Sequence, residues 1–168
     1  SVLGEERAYT VRLPDSYARA PTQRYPVLYV LDGSSQSVHV AATAELMARI
    51  GAMPEAIVIG IPSGDARNRD YTPPGMRQDA DDDGRAEGQA DRFLGFLQRE
   101  LMPQVQRELR TTPRRALVGN SRGGLFVVHA FTRQPSLFDA YVAHSPALWR
   151  DDSTIVARLD RFLRGHRD

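Results

Sequence analysis

Apolar residues along this chain fall into short dense runs separated by longer stretches with a helical period. Tyr25–Leu31 (YPVLYVL) and Ala56–Ile61 (AIVIGI) are nearly continuous apolar runs, the pattern of strands covered on both faces. Arg115–Val118 and Phe138–Ala143 read as two more buried strands. Arg7–Leu13 alternates instead, with Tyr9, Val11 and Leu13 on one face, and reads as a strand ending at Pro14. Between these runs the spacing predicts helices over Val40–Ile50, stopped by Gly51 and Pro54, and over Ala90–Leu109. Leu125, Phe126, Val128 and His129 begin a further helix that continues to Arg133. A last amphipathic helix spans Ser153–Leu163 with Ser153 as its N-cap. Buried strands alternating with helices predict an α/β domain with a parallel sheet and right-handed crossovers.

Ser121 stands in Gly119-Asn120-Ser121-Arg122-Gly123, between the Arg115–Val118 run and the helical pattern that follows. Strand, tight turn and helix is the setting in which G-x-S-x-G becomes a nucleophile elbow. Such a turn leaves no room for side chains on its flanks, so glycines at 119 and 123 let the backbone pass while Ser121 points outward. The spacing marks Ser121 as a candidate acyl-transfer nucleophile, held at positive φ by the turn. The plain alternative is an ordinary strand–helix turn with an incidental serine.

Pro62–Gln89 breaks the pattern: 28 residues with many charges and little periodicity. Loops of this length in compact domains are usually functional or disordered. This one leaves the C-terminal end of a strand, the edge where open α/β sheets bind ligands. Within it, Asp79-Ala80-Asp81-Asp82-Asp83-Gly84 matches the start of a calcium-binding EF-hand loop, with Glu87 at the ninth position. Ala90 stands at the twelfth, where a bidentate Glu should close the shell. The segment is therefore read as a solvated acidic lid, and no metal is expected.

Composition narrows the chemistry. With 168 residues the chain is long enough for one domain with a real core. A net charge of +1 gives no general pull toward nucleic acid or an anionic membrane, and no apolar stretch approaches the ~20 residues that span a bilayer. All 22 basic residues are Arg, which excludes a Schiff-base lysine and a Ser–Lys dyad within this chain. The absence of Cys removes thiol nucleophiles and thiolate metal sites.

The chain resembles the esterase branch of the α/β-hydrolase fold that holds enterochelin-type esterases, esterase D and feruloyl or acetyl-xylan esterases. The resemblance rests on the strand and "LDG" at Tyr25–Gly33, "IGIPSGDARNRDYTP" at Ile59–Pro73 and "FLQRELMPQV" at Phe96–Val105. "LVGNSRGGL" at Leu117–Leu125 and "AHSPALWRDD" at Ala143–Asp152 complete it. It implies an α/β-hydrolase fold with a mostly parallel sheet and helices on both faces, and a serine esterase that uses no cofactor. Ser121 matches the nucleophile, and the backbone N–H of Arg122 matches one oxyanion donor. The N–H of Ser34 or Ser35 in the loop after "LDG" is the candidate second donor. Arg69, Asp70 and Tyr71 match a loop bordering the substrate cleft, and Trp149 matches an aromatic after the last buried strand. Read from the residues alone, Arg69–Asp70 is a surface pair and Trp149 packs as core.

The family order is Ser, acid, His, the last two on loops after further strands. Residues 1–168 are therefore read as one incomplete domain, with the acid and His of the triad beyond Asp168. Four histidines stand as substitutes. His129 lies eight residues into the helix after Ser121, about 12 Å along its axis. His166 follows a helix running back to the opposite sheet edge, so Ser121, Asp151 and His166 have the right order but form a false triad. His39 and His144 lie on the correct side, and His144 is the candidate base within the chain. The expected partner is a small-molecule ester, with no nucleic acid and no membrane. Truncation would expose Phe138–Ala143 as a sheet edge, open to a homodimer unless the residues after Trp149 fold back over it. Two other readings stay open: a non-catalytic binding domain on the same scaffold, and an acyltransferase of the mycolyl-transfer kind.

Overall fold

Five strands form one sheet in a computed structural model that describes residues 1–76 and 88–166. In chain order they are β1 (Thr10–Arg12), β2 (Tyr25–Leu31), β3 (Ile57–Ile61), β4 (Thr111–Asn120) and β5 (Ala140–His144). Their spatial order is β1-β3-β2-β4-β5. β1 runs antiparallel to β3, and the other pairs are parallel. The helices are α1 (Gly33–Arg49), α2 (Arg67–Tyr71), α3 (Ala90–Phe96), α4 (Met102–Glu108), α5 (Arg122–Arg133) and α6 (Arg150–Gly165). The EF-hand-like residues 79–84 and Glu87 lie outside the described residues.

Alternation along β2 shows how the layers are built. Val27, Tyr29 and Leu31 join one cluster with Phe93, Phe96 and Leu97 of the α3 region and Phe126 of α5. Leu28 and Val30 face the other way, toward Val40 and Ala44 of α1. β3 is buried on both faces, as its unbroken apolar run requires. β5 is not: it ends the sheet with alternating exposed and half-buried residues. The expectation of a buried strand there is corrected. Tyr141 and Ala143 pack on the core, while Val142 stays 48% exposed. α6 turns onto α5, with Ile155 against Leu125 and Phe162 edge-on to Phe131, and does not fold back along the β5 edge.

The starts of α1 and β4 differ most from expectation, for physical reasons. α1 begins at Gly33, seven residues before the predicted start, because Gly33-Ser34-Ser35-Gln36-Ser37 carries no apolar period. Its first turn is instead selected for closeness: a Cβ on Gly33 would lie 2.4 Å from the Gly60 backbone, and one on Gly60 would lie 2.7 Å from Ser37 Cβ. β4 begins at Thr111 rather than Arg115. Pro26 and Pro113 lack N–H groups, and the β2–β4 register shifts between Tyr25 and Val27, so the early part of the strand reads as a loop. The predicted Ala90–Leu109 helix forms with a π turn over Leu97–Leu101. That turn leads into Pro103, whose ring would clash with the Arg99 carbonyl in a regular helix. α6 carries positive φ at Asp151, Asp152 and Ser153 (49°, 52° and 61°), so its regular turns follow Ser153, close to the predicted start.

The amino-terminal segment is tied to α2 by charge. Glu5 pairs with Arg7 and Arg69, which hold its carboxyl far below the usual range, at about 2. The unfolded value is near 4.5, so the stabilisation is complete above that pH and is lost as pH falls through about 2. Glu5 is 39% exposed, and screening keeps the effect below about 1 kcal/mol. Glu5→Gln is expected to lower the melting temperature by no more than about 3 °C at pH 7. The difference should shrink between pH 4.5 and 2, and a penalty that grows on acidification would contradict the pairing.

Candidate active site

β4 ends at Asn120 and α5 opens at Arg122, leaving Ser121 alone on the turn with φ 55° and ψ −116°. This is the strained backbone that the spacing predicts. A Cβ on Gly119 would lie 2.5 Å from the carbonyl carbon and oxygen of Gly123, so only glycine fits at 119. Gly124, which the pentapeptide does not include, is as constrained: its Cβ would lie 2.9 Å from Pro146 Cα. The Ser121 N–H donates to the His144 carbonyl at 3.0 Å. Its own carbonyl accepts from Leu125 and Ala147, both at 3.0 Å. The turn is thereby fixed to the end of β5 and the segment after it.

The end of β2 meets the same turn. Leu31 Cβ and Asp32 Oδ2 lie 3.5 and 3.3 Å from the Cβ position of Gly123. Asp32 is left-handed (φ 53°, ψ 42°), a conformation that Asp tolerates better than most residues. Its carboxylate accepts from Ser63 Oγ at 2.7 Å, from Arg67 Nε at 2.8 Å and from Arg67 Nη2 at 2.9 Å. Its N–H donates to Tyr71 Oη at 3.1 Å. The Arg67 guanidinium sits 5.7 Å over the Tyr71 ring, and its bond to Asp32 raises its pKa further. One residue beyond α2, Thr72 Oγ1 accepts from Arg122 Nη1 at 3.0 Å. Residues 63–72 therefore touch both the β2 end and the elbow.

The structure assembles some of the expected site residues and turns others elsewhere. Ser34 and Ser35 lie in the first turn of α1 rather than in a loop. The Ser35 N–H already donates to the Asp32 carbonyl at 3.0 Å, which leaves Ser34 as the better donor candidate. Asp70 is 1% exposed between Arg7 and Arg69, with Arg69 Nε 2.8 Å away. Tyr71 is 0% exposed, its ring tilted against Phe93 and Phe126, and burial pushes its phenol pKa well up. Both side chains are sealed from solvent, and the enclosed Asp70 corrects Arg69–Asp70 as a surface pair. Arg69 reaches Glu5 as well. Trp149 is 67% exposed, which corrects its reading as core. Arg67, Ser63 and Thr72 escaped the sequence reading. Asp32, visible in "LDG", was given no role.

The histidines separate as their positions imply. His129 is buried against Asp91 at 2.9 Å, and desolvation lowers its pKa. His166 Nδ1 donates to the Phe162 carbonyl at 2.8 Å. His144 ends β5 beside Asn120, with Nδ1 donating to Asn120 Oδ1 at 2.9 Å. His144 and exposed His39 border a largely apolar groove of about 460 Å³ between α1 and the β4–β5 face, floored by Leu28, Val118 and Val142.

The model of a family described as "Putative esterase" matches residues 1–165. The chain belongs to this family. Among curated members of similar sequence, the ferri-bacillibactin esterase BesA of Bacillus subtilis is 29% identical over 97% of this chain and 62% of its own length. The siderophore enterobactin esterase of Emericella nidulans is 35% identical over 82% of this chain and 51% of its own. An IroE-like serine hydrolase from Shewanella oneidensis superposes with a TM-score of 0.83 at 34% identity, covering 96% of this chain and 53% of that one. The chain thus spans between half and two thirds of these esterases' lengths, and its fold is of the α/β-hydrolase type that they share.

Proposed function

We propose that this chain carries the nucleophile and oxyanion-binding part of a serine esterase acting on siderophore esters. The observation that carries the proposal is Ser121 at φ 55° between β4 and α5, beside the left-handed Asp32 that opens α1. Ser121 Oγ gives its proton to the general base as it attacks the ester carbonyl carbon, and the negative charge develops on the carbonyl oxygen. In this reading the N–H groups of Arg122 and Ser34, each in the first turn of a helix, donate to it. Collapse expels the alcohol, which takes a proton from the general base, and water then cleaves the acyl-serine. The base is a histidine from the part of the relatives' length that this chain does not span. Support comes from the four histidines here: His129, His144 and His166 are hydrogen-bonded elsewhere, and His39 is exposed on α1. The siderophore ester is read from the relatives, which are named for ferri-bacillibactin and enterobactin.

The test is ester cleavage of enterobactin by the full-length protein, followed by mass spectrometry, together with stoichiometric labelling of Ser121 by diisopropyl fluorophosphate. Hydrolysis should survive His144→Ala. Its loss there, with folding intact, would make His144 the base. Cleavage of simple aryl esters but not of enterobactin would remove the substrate assignment and keep the mechanism.

The outer edge of β5 has its own consequence. Among the described residues it pairs only with β4, and an unpaired apolar edge recruits another strand. The 168-residue chain expressed alone is expected to dimerise edge to edge at β5. A monomer by light scattering, with slow hydrogen exchange across 140–144, would defeat this.

A further inference from the structure

We infer that Arg67 is a positioning residue for the oxyanion hole, holding the first turn of α1 in place through Asp32. This rests on the reading of Ser121 as nucleophile and adds a residue to it. The Ser34 N–H can stabilise a developing charge only if α1 starts at a fixed point and angle. That start is set by one residue in a conformation that L-amino acids avoid, Asp32 at φ 53°. Within α1 the Asp32 carbonyl takes the ordinary helix-start bonds from the Ser35 and Gln36 N–H groups, but its side chain makes no capping bond, because both carboxylate oxygens point to Arg67 and one also takes the Ser63 hydroxyl. The planar guanidinium grips both oxygens at once, which fixes the orientation of the carboxylate as well as its distance. Tyr71 adds a third restraint through the Asp32 N–H, and its ring lies under the Arg67 charge.

The same short segment reaches the other half of the site. Thr72 follows Tyr71 directly, and its hydroxyl accepts from the buried side chain of Arg122. The backbone of Arg122 is the proposed first oxyanion donor. Residues 63–72 thus connect the two amide donors across about 90 residues of sequence, and the distance between donors is set by this connection. Removing an oxyanion donor outright costs on the order of 10²–10³ in kcat. A donor that is misaimed rather than lost should cost roughly tenfold. The loss should appear in kcat, because the bond is made to the transition state and not to the bound ester.

The variants are Arg67→Met, Arg67→Lys and Tyr71→Phe in the full-length protein, with Arg133→Met on the far end of α5 as control. Arg67→Met is expected to lower kcat about 10- to 30-fold with KM within about twofold. Arg67→Lys, which keeps the charge but not the two-point grip, should recover part of the loss. Tyr71→Phe should lower kcat less, and the double variant should fall short of the product of the two, since both act through Asp32. Amide hydrogen exchange of residues 32–36 should quicken in Arg67→Met. An unchanged kcat with only a lower melting temperature, or a rise in KM alone, overturns the inference. If hydrolysis proves independent of Ser121, the enzymatic reading fails by itself. The exchange measurement then still decides whether Arg67 holds the start of α1, and unchanged exchange at 32–36 overturns that too.

Discussion

Ser121→Ala is expected to reduce ester hydrolysis by the full-length protein by on the order of 10⁴–10⁶ and to abolish labelling by diisopropyl fluorophosphate. The magnitude follows from what remains when a serine nucleophile is removed, namely binding and the oxyanion hole without an attacking group. The fold should not suffer, because the bonds at this position are backbone bonds: the N–H to His144 and the carbonyl to Leu125 and Ala147. A companion variant separates chemistry from stability. Ser121 holds φ 55°, which costs a side-chain-bearing residue about 1 kcal/mol and glycine almost nothing. Ser121→Gly should therefore be inactive yet melt about 2–4 °C higher than the parent. A variant that loses activity and stability together would mean that Ser121 is a packing residue and the turn an ordinary one. Wild-type hydrolysis in Ser121→Ala would remove the nucleophile assignment altogether.

How far the sequence exposes this site depends on the range of the interactions that build it. β2 is legible to the residue because an unbroken apolar run covered on both faces leaves no other placement. The elbow is legible because its requirements are local: a glycine at 119 where no Cβ fits, a serine, and a helix directly behind it. The start of α1 is hidden for the opposite reason. Ser37 is there to lie against Gly60, with its hydroxyl bonded to the Gly33 carbonyl at 2.6 Å, so its polarity records close contact and not exposure. Arg67 and Asp32 stand 35 positions apart, and nothing in either neighbourhood announces the pair. Tyr71 shows the limit of reading position from a motif. It stands in a segment that borders the cleft by resemblance, yet it is sealed beneath Asp32. Buried long-range polar pairs are chosen by the assembled fold, and the linear pattern carries no trace of them.

Asp70→Ala should be the most destabilising of the polar substitutions. Asp70 is enclosed between the Arg7 and Arg69 guanidinium groups, and Arg7 is itself only 11% exposed. Taking the carboxylate away leaves Arg7 buried beside Arg69 with no charge between them but that of the half-exposed Glu5. Breaking a buried pair in this way costs about 3–5 kcal/mol, a fall of roughly 6–20 °C for a domain of this size. The cost belongs to the orphaned cation and not to the pair, which gives the decisive comparison. Arg7→Met in the Asp70→Ala background should restore part of the lost stability, so the double variant should be more stable than the sum of the single effects predicts. Strict additivity, or a single-variant loss below about 1 kcal/mol, would show that water reaches Asp70 and that the amino-terminal segment is not anchored there. Because Asp70 precedes Tyr71 and Thr72 on the segment that joins both proposed oxyanion donors, the same variant should lower kcat at temperatures well below its melting point. Loosening the anchor would then reach the proposed oxyanion amides through residues 70–72, by way of the Tyr71–Asp32 and Thr72–Arg122 bonds.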